Sequence, residues 1–166
     1  MRVKQLSPEN PLRSKHTLIL FHSEEEMQPP SLASARDGSA YTFLVPSGKQ
    51  GGTVFHVETV VSPAALQKGL SGRPVLAAGH GMLFVFPSIQ RHSMWMPEMQ
   101  FPLDIAWLDD KFVVVHVTRN ASPCPNRREC PSYGSEKPAK YAIEMKAGDA
   151  AAYGFRPGVS LSVSLA

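Results

Sequence analysis

The stretch Gly81–Leu108 reads GMLFVFPSIQRHSMWMPEMQFPLDIAWL and joins three apolar runs with few polar residues between them. The runs are rich in Phe, Val, Ile, Trp and Met, and they are bounded by Pro87, Pro97 and Pro102. Short apolar runs of this composition are typical of buried strands. Proline lacks a backbone donor, so it is tolerated mainly where a strand begins or ends. The stretch therefore predicts a buried β core.

The sequence on both sides of this stretch predicts further short strands and two short helices. Ser62 can cap a helix that has Pro63 at its first position and Gly69 just past its end, and a second helix is expected over residues 149–153. Strands are expected at Thr53–Val61, Phe112–Val117, Tyr141–Met145 and Val159–Leu165. Because the long crossover helices of a parallel sheet are missing, the predicted fold is mainly β. We expect a compact antiparallel barrel or sandwich with one or two short helices.

Residues 1–52 have a different composition, with several prolines, an acidic run and a mixture of Ser, Ala and Gly. This composition predicts an irregular N-terminal arm. His16–Phe21 and Tyr41–Val45 interrupt the arm as candidate edge strands, which could pair with the domain or with a neighbour. The β domain itself is predicted to span residues 53–166.

Length and composition indicate one packed domain. The chain has 166 residues, 43% of them hydrophobic, which is enough for a single core. A net charge of +3 with scattered Lys and Arg gives no clear sign of nucleic acid binding. The only apolar run near the amino terminus is Leu18–Phe21, too short for a signal peptide or a membrane span. The sequence thus predicts a soluble protein, cytoplasmic or part of an assembled particle, with no membrane partner.

Several motifs carry a family resemblance. They are GLSGR (Gly69–Arg73), GMLFVFP (Gly81–Pro87), MWM (Met94–Met96) and PLDI (Pro102–Ile105), followed by Cys124, Cys130–Tyr133, Tyr141–Glu144 and Gly148. In order and spacing, Thr53–Leu165 resembles a widespread prokaryotic family known as domain of unknown function 192. The resemblance implies a compact β-rich domain, often found in exported proteins, and implies no particular activity. A missing signal peptide departs from many relatives.

Cys124 and Cys130 lie in the proline-rich loop SPCPNRRECPSYG, with five residues between them. A disulfide that closes this loop would stabilise the fold by roughly 2 kcal/mol and would suit an oxidising compartment. Cytosolic thiols would instead stay reduced. A metal or redox role lacks the further ligands or the C-x-x-C spacing that it needs. The structural disulfide is favoured here, and the other two interpretations stay open.

Asp104 lies between two apolar residues inside a predicted strand. A carboxylate in that position needs an Arg, a His or several backbone donors to remain ionised. Arg73 and Arg91 are the candidate partners, because a guanidinium group can pair with a carboxylate through two hydrogen bonds. Such a pair is more often architectural than catalytic. In the functional alternative, Asp104, Arg73, His92 and Glu144 converge on one small polar cleft beside Trp95.

The six histidines never form an H-x-H or H-x-x-x-H pair, so no metal centre and no cofactor are predicted. Met94, Trp95, Met96, Met99 and Trp107 could line a soft apolar groove. The more common role of such residues is to fill the core. If some of them are exposed, they mark an interface.

Two classes of function remain, and we predict the first. It is a non-catalytic structural or interaction module with protein partners, docking through its N-terminal arm and β domain. The assembly would be a homo-oligomer or a larger multi-subunit particle, such as a virion. The alternative is a small-ligand-binding protein or hydrolase-like enzyme with a polar cleft around Asp104. Its catalytic candidates are Asp104, His92 and Glu144, and its ligand-binding candidates are Arg73, Arg91, Trp95 and Asp104.

Overall fold

The computed structural model describes residues 32–47, 51–124 and 130–166. Its strands are β1 (Ala40–Ser47), β2 (Gly51–Val60), β3 (His80–Gln90), β4 (Ser93–Met94), β5 (Leu103–Leu108), β6 (Val114–Ala121), β7 (Tyr133–Gly134), β8 (Ala139–Lys146) and β9 (Ser162–Leu165). Two short α-helices, α1 (Pro63–Lys68) and α2 (Asp149–Ala152), and a 3-10 turn at Leu32–Ser34 complete the secondary structure of these ranges. The prediction of a mainly β fold with two short helices is confirmed.

Seven strands form one curled sheet, a half-barrel, in the order β6-β5-β8-β3-β2-β1-β9. A separate two-stranded ribbon joins β4 to β7. Neighbouring strands of the large sheet are antiparallel except β2 and β3, which run parallel because α1 lies in the connection between them. The two ends of the curled sheet meet where the Val114 N–H donates to the Val159 carbonyl over 2.8 Å. The Leu161 N–H donates in the same region to the Phe112 carbonyl over 3.0 Å.

Both faces of the sheet are covered, as β5 shows. All six residues of β5 are buried. Ala106 and Leu108 belong to the core on one face, while Leu103, Ile105 and Trp107 belong to the core on the other. A strand buried on both faces has a continuous apolar sequence rather than an alternating one, which accounts for the runs within Gly81–Leu108.

The helix α1 has the two ends that the sequence predicts for it. The Ala65 N–H donates to the Ser62 hydroxyl over 3.3 Å, Pro63 is the first helical residue, and Gly69 ends the helix with a φ of 48°. An N-terminal proline lacks only a donor that the helix could not use, and glycine adopts positive φ at little cost. The helix therefore begins and ends where the sequence signals it.

The predicted strand Tyr41–Val45 lies within β1, which pairs with β2 along its whole length and with β9 on its other side. It is thus an inner strand of the sheet, and β9 lies outside it. The predicted boundary between residues 52 and 53 falls within β2. The other candidate edge strand, His16–Phe21, lies outside the described residues.

Candidate functional site

Asp104 joins three elements of the fold through its carboxylate. Its side chain lies on β5 and is buried, with the residue 2% exposed. One oxygen accepts the Asn120 N–H over 2.9 Å, and the other accepts the N–H groups of Gly148 and Ala150 over 2.9 and 3.1 Å. Gly148 and Ala150 lie at the start of α2, where helical N–H groups have no partner within the helix. Backbone donors, one of the predicted alternatives, therefore hold this carboxylate between β5, the end of β6 and α2.

The other predicted polar residues lie apart from Asp104. Arg73 forms an ion pair with Glu58 at the surface. Arg91 is exposed in the turn between β3 and β4. His92 stacks on Phe86 with ring centroids 3.8 Å apart, and its Nε2 lies 3.0 Å from the Ser88 carbonyl oxygen. The polar cleft expected around Asp104 is thus not assembled from these side chains.

Glu144 is a buried acid that lines a cleft. It lies on β8 opposite Met82 of β3 and Ile105 of β5, and it is 5% exposed. Its Oε2 atom is buried and has no hydrogen-bond partner among the described residues. Burial raises the pKa of the Glu144 carboxyl from 4.5 to about 8, since an apolar environment disfavours the charged form. Near neutral pH this carboxyl is therefore mostly protonated.

Glu144 lies at a cleft between α1 and residues 93–99, which we call the Glu144 cleft. Its volume is about 120 Å³. The cleft is lined by Leu66, Gln67, Lys68, Gly69, Leu70, Ser71, Phe84, Phe86, Ser93, Met94, Trp95, Pro97, Met99 and Glu144. A neighbouring cavity of about 300 Å³ shares Lys68, Ser71 and Trp95 with it. The cleft combines aromatic and thioether walls with one buried acid.

Met94 and Trp95 of the MWM motif line one side of the cleft. Met94 and Met96 are buried, whereas Trp95 between them is 45% exposed. Two hydrogen bonds of 3.1 Å fasten this segment to the loop after α1, one from the Ser71 hydroxyl to the Pro97 carbonyl and one from the Gly72 N–H to the Glu98 carbonyl. The indole of Trp95 is thus placed at the mouth of the cleft.

Gly69 keeps the space beside the acid open. A Cβ atom at this position would lie 3.0 Å from the Phe84 ring and 3.6 Å from Glu144 Oε2. Its φ of 48° also disfavours a side chain. The first glycine of the GLSGR motif therefore ends α1 and places no side chain between the helix end and the carboxyl.

The structure brings together Glu144 and Trp95 from the predicted set, while Asp104, Arg73, Arg91 and His92 do not line the Glu144 cleft. Sequence reasoning missed the contribution of Gly69 and Ser71, whereas Met99 belongs to the set predicted to line an apolar groove. The GLSGR and MWM motifs were the available signal, but they were interpreted as a turn and as core. The proximity of these two motifs depends on how α1 packs against the sheet.

Cys124 and Cys130 are paired at disulfide distance, with their Cα atoms 5.2 Å apart. Cys124 also lies in the core with Met96, whose carbonyl accepts the Cys124 N–H over 3.1 Å. This pairing agrees with the favoured interpretation of the loop. The pair therefore anchors residues 94–97 on one side of the cleft.

Within residues 32–47, 51–124 and 130–166, no group of three or more His, Cys, Asp or Glu side chains could hold a metal ion. His56 and His80, opposite each other on β2 and β3, form a stacked pair with centroids 5.1 Å apart. No helix in these ranges has the length and apolar character needed to cross a membrane.

The solved structures that are similar to this chain include two bacterial proteins. One, from Sinorhizobium meliloti 1021, is described as a candidate transcription regulator. It is 26% identical, with a TM-score of 0.69, over 76% of this chain and 95% of that one. The other is a protein of unknown function from Novosphingobium aromaticivorans DSM 12444. It is 27% identical, with a TM-score of 0.64, over 73% of this chain and 83% of that one.

No curated protein matches the chain. The family model of domain of unknown function 192, described as an uncharacterized ACR, matches residues 45–163. This match covers most of the chain and agrees with the motifs that carry the resemblance. The chain therefore belongs to the domain of unknown function 192 family.

Proposed function

We propose that this domain is a small-ligand-binding protein whose site is the Glu144 cleft. One observation carries the proposal: within the described part of the chain, the buried carboxyl of Glu144 has an oxygen without a hydrogen-bond partner. A buried polar group without a partner costs about 1–3 kcal/mol, so proteins usually pair such groups. A ligand that hydrogen-bonds this carboxyl would recover that cost on binding.

The placement of the proposed site differs from the expected one. A polar cleft was expected around Asp104, but three backbone N–H groups already occupy that carboxylate. Glu144, another of the candidates, lines a cleft together with Trp95. Small-molecule sites are concave and combine apolar or aromatic walls with placed polar groups, and the Glu144 cleft has lining residues of both kinds.

The proposal is tested by titrating the isotopically labelled protein with a mixed set of charged and uncharged aromatic fragments. We expect saturable shifts of the Gly69, Ser71 and Ser93 amide signals and of the Trp95 indole signal. Glu144→Leu should abolish these shifts, whereas the control Glu136→Gln, at an exposed carboxyl, should leave them unchanged. If no fragment shifts these signals saturably at millimolar concentration, the cleft is not a binding site.

A second candidate function is the interaction module with protein partners, and the free edge of β9 favours it. In the described ranges β9 pairs only with β1. The Ala166 N–H donates to the Ala40 carbonyl, so by strand alternation the N–H groups of Val163 and Leu165 point away from β1. Leu165 is also 68% exposed. An unpaired edge of this kind can accept a strand from another chain.

This candidate keeps the proposed assembly, a homo-oligomer or a larger particle such as a virion, and includes docking through the N-terminal arm. Removing residues 1–31 leaves β1 intact and tests the arm, while Leu165→Pro removes an outward donor from β9. Light scattering after size-exclusion chromatography should show a smaller particle for either variant. A mass equal to that of one chain, for the full protein and for each variant compared with its own sequence, would rule out self-association.

A further inference from the structure

We propose that the Glu144 cleft recognises an uncharged, flat molecule with an amide-type edge, an N–H beside a carbonyl oxygen, on a small apolar body. The inference rests on the proposed function, because it specifies the ligand class of the same site. A protonated carboxyl group has one O–H donor beside an acceptor oxygen. An amide edge has the matching acceptor and donor, so the two groups can form two hydrogen bonds at once.

The charges around the cleft favour a neutral ligand. Lys68 on α1 lines the cleft and is exposed, and Glu98 lines the neighbouring cavity. His92 stacks on the Phe86 ring from the β3–β4 turn. On the two strands that flank β8, the residues opposite Glu144 are Met82 and Ile105, and both are uncharged.

A charged ligand would be bound at a higher cost. Transferring an ion from water into a protein interior costs several kcal/mol unless it is well paired. Lys68 is the cation among the lining residues, and exposure to water and salt weakens its attraction for an anion. A cationic ligand would need the ionised form of Glu144, which burial disfavours. A ligand with an uncharged polar edge avoids both the cost of transferring an ion into the cleft and the cost of ionising Glu144.

The walls and the volume fit a single ring. Phe84, Phe86 and Trp95 offer aromatic surfaces, and Met94 and Met99 add flexible thioether side chains. The cleft, at about 120 Å³, is smaller than the sites of roughly 300–1,000 Å³ that hold drug-sized ligands. A monocyclic amide or lactam therefore matches the site, and a substituent could extend into the neighbouring cavity.

Three probes with one phenyl body separate the ligand classes: benzamide is neutral, benzoate is an anion and benzamidinium is a cation. Each is titrated into the full chain at about pH 6.5 and about pH 9, following the cleft signals of Gly69, Ser71 and Trp95. We expect benzamide to bind best at the lower pH. Its affinity should fall about tenfold at the higher pH, because the neutral fraction of a group with a pKa of about 8 falls by that factor.

Substitutions of Glu144 test whether its side chain binds the ligand or only stabilises the fold. Glu144→Gln keeps a donor and an acceptor but does not titrate, so benzamide binding should persist and lose its pH dependence. Glu144→Leu should abolish binding. Circular dichroism checks that both variants fold, and if the leucine variant does not fold, the glutamine variant carries the test. Glu136→Gln is the control and should behave as the wild type does.

Other results would overturn the inference in recognisable ways. Tighter binding of benzoate at the lower pH, or of benzamidinium as the pH rises, would show that the ligand class is wrong while the cleft still binds. Benzamide binding that keeps its pH dependence in Glu144→Gln would remove Glu144 from recognition. If the mixed fragment set also fails to shift the cleft signals, the proposed function fails together with the inference.

Discussion

Replacing Glu144 with Gln should make the protein more stable at neutral and alkaline pH. Burial raises the pKa of this carboxyl from 4.5 to about 8 in the folded chain, whereas the unfolded chain exposes it to water. Between these two values the folded state keeps a proton that the unfolded state loses. Wild-type stability therefore falls as the pH rises through this window, because the folded state binds more protons.

The size of the effect follows from the same two values. A rise from 4.5 to about 8, at about 1.4 kcal/mol for each pH unit, amounts to about 5 kcal/mol. The difference in unfolding free energy between Glu144→Gln and wild type should thus grow by about 5 kcal/mol from pH 4.5 to pH 8 and level off above that. Gln has nearly the same shape as the protonated acid, so the difference should be small at the acidic end.

Urea denaturation at several pH values measures this difference, with the fluorescence of the fully buried Trp107 as the signal. Glu136 provides the control, since its side chain is 74% exposed. Glu136→Gln should change the unfolding free energy by less than about 1 kcal/mol at every pH. A Glu144→Gln difference that stays constant between pH 5 and pH 8 would refute the inference that this acid is buried and protonated.

Three further predictions follow from other parts of the fold. Asp104→Ala should destabilise the protein by about 3 kcal/mol, because it leaves the buried N–H of Ala150 and two other donors unpaired. Urea denaturation measures this loss, and Asp110→Ala, at an exposed aspartate, is the control. Replacing Cys124 and Cys130 together with Ser should cost roughly 2 kcal/mol, and thiol titration of the native wild type should find no reactive thiol. Gly81→Ala should prevent a stable fold, because the new Cβ would collide with the Glu144 carbonyl and lie 2.9 Å from the Phe55 ring. Gly134→Ala, with no neighbour closer than 3.9 Å, should be tolerated, as circular dichroism can show.

Much of the fold could be predicted from local sequence. The apolar runs of Gly81–Leu108 become β3 to β5, and the boundaries of α1 follow from Ser62, Pro63 and Gly69. These signals act over a few residues, through proline, glycine and side-chain caps. Secondary structure of this kind needs no knowledge of distant contacts.

The candidate site depended on contacts between distant parts of the chain. Asp104 and Glu144 both appear in the sequence as acids within apolar strands, yet their environments differ. Asp104 meets the unpaired N–H groups at the start of α2, whereas Glu144 faces the cleft under α1. Strand register and helix placement decide which of the two carboxyl groups meets backbone donors. Neither the register nor the placement can be predicted from the residues next to each acid in the sequence.

The amino-acid sequence alone therefore determined the family, the mainly β class and the short helices, because periodicity, motifs and turn residues are local. Only the tertiary structure decided that β1 is an inner strand and that backbone donors hold Asp104. It also decided that Glu144 is buried with an oxygen that no described residue pairs. The physical reason is that burial and hydrogen bonding depend on which surfaces pack together. A carboxyl group's charge, and so its chemistry, is set by that packing rather than by its neighbours along the chain.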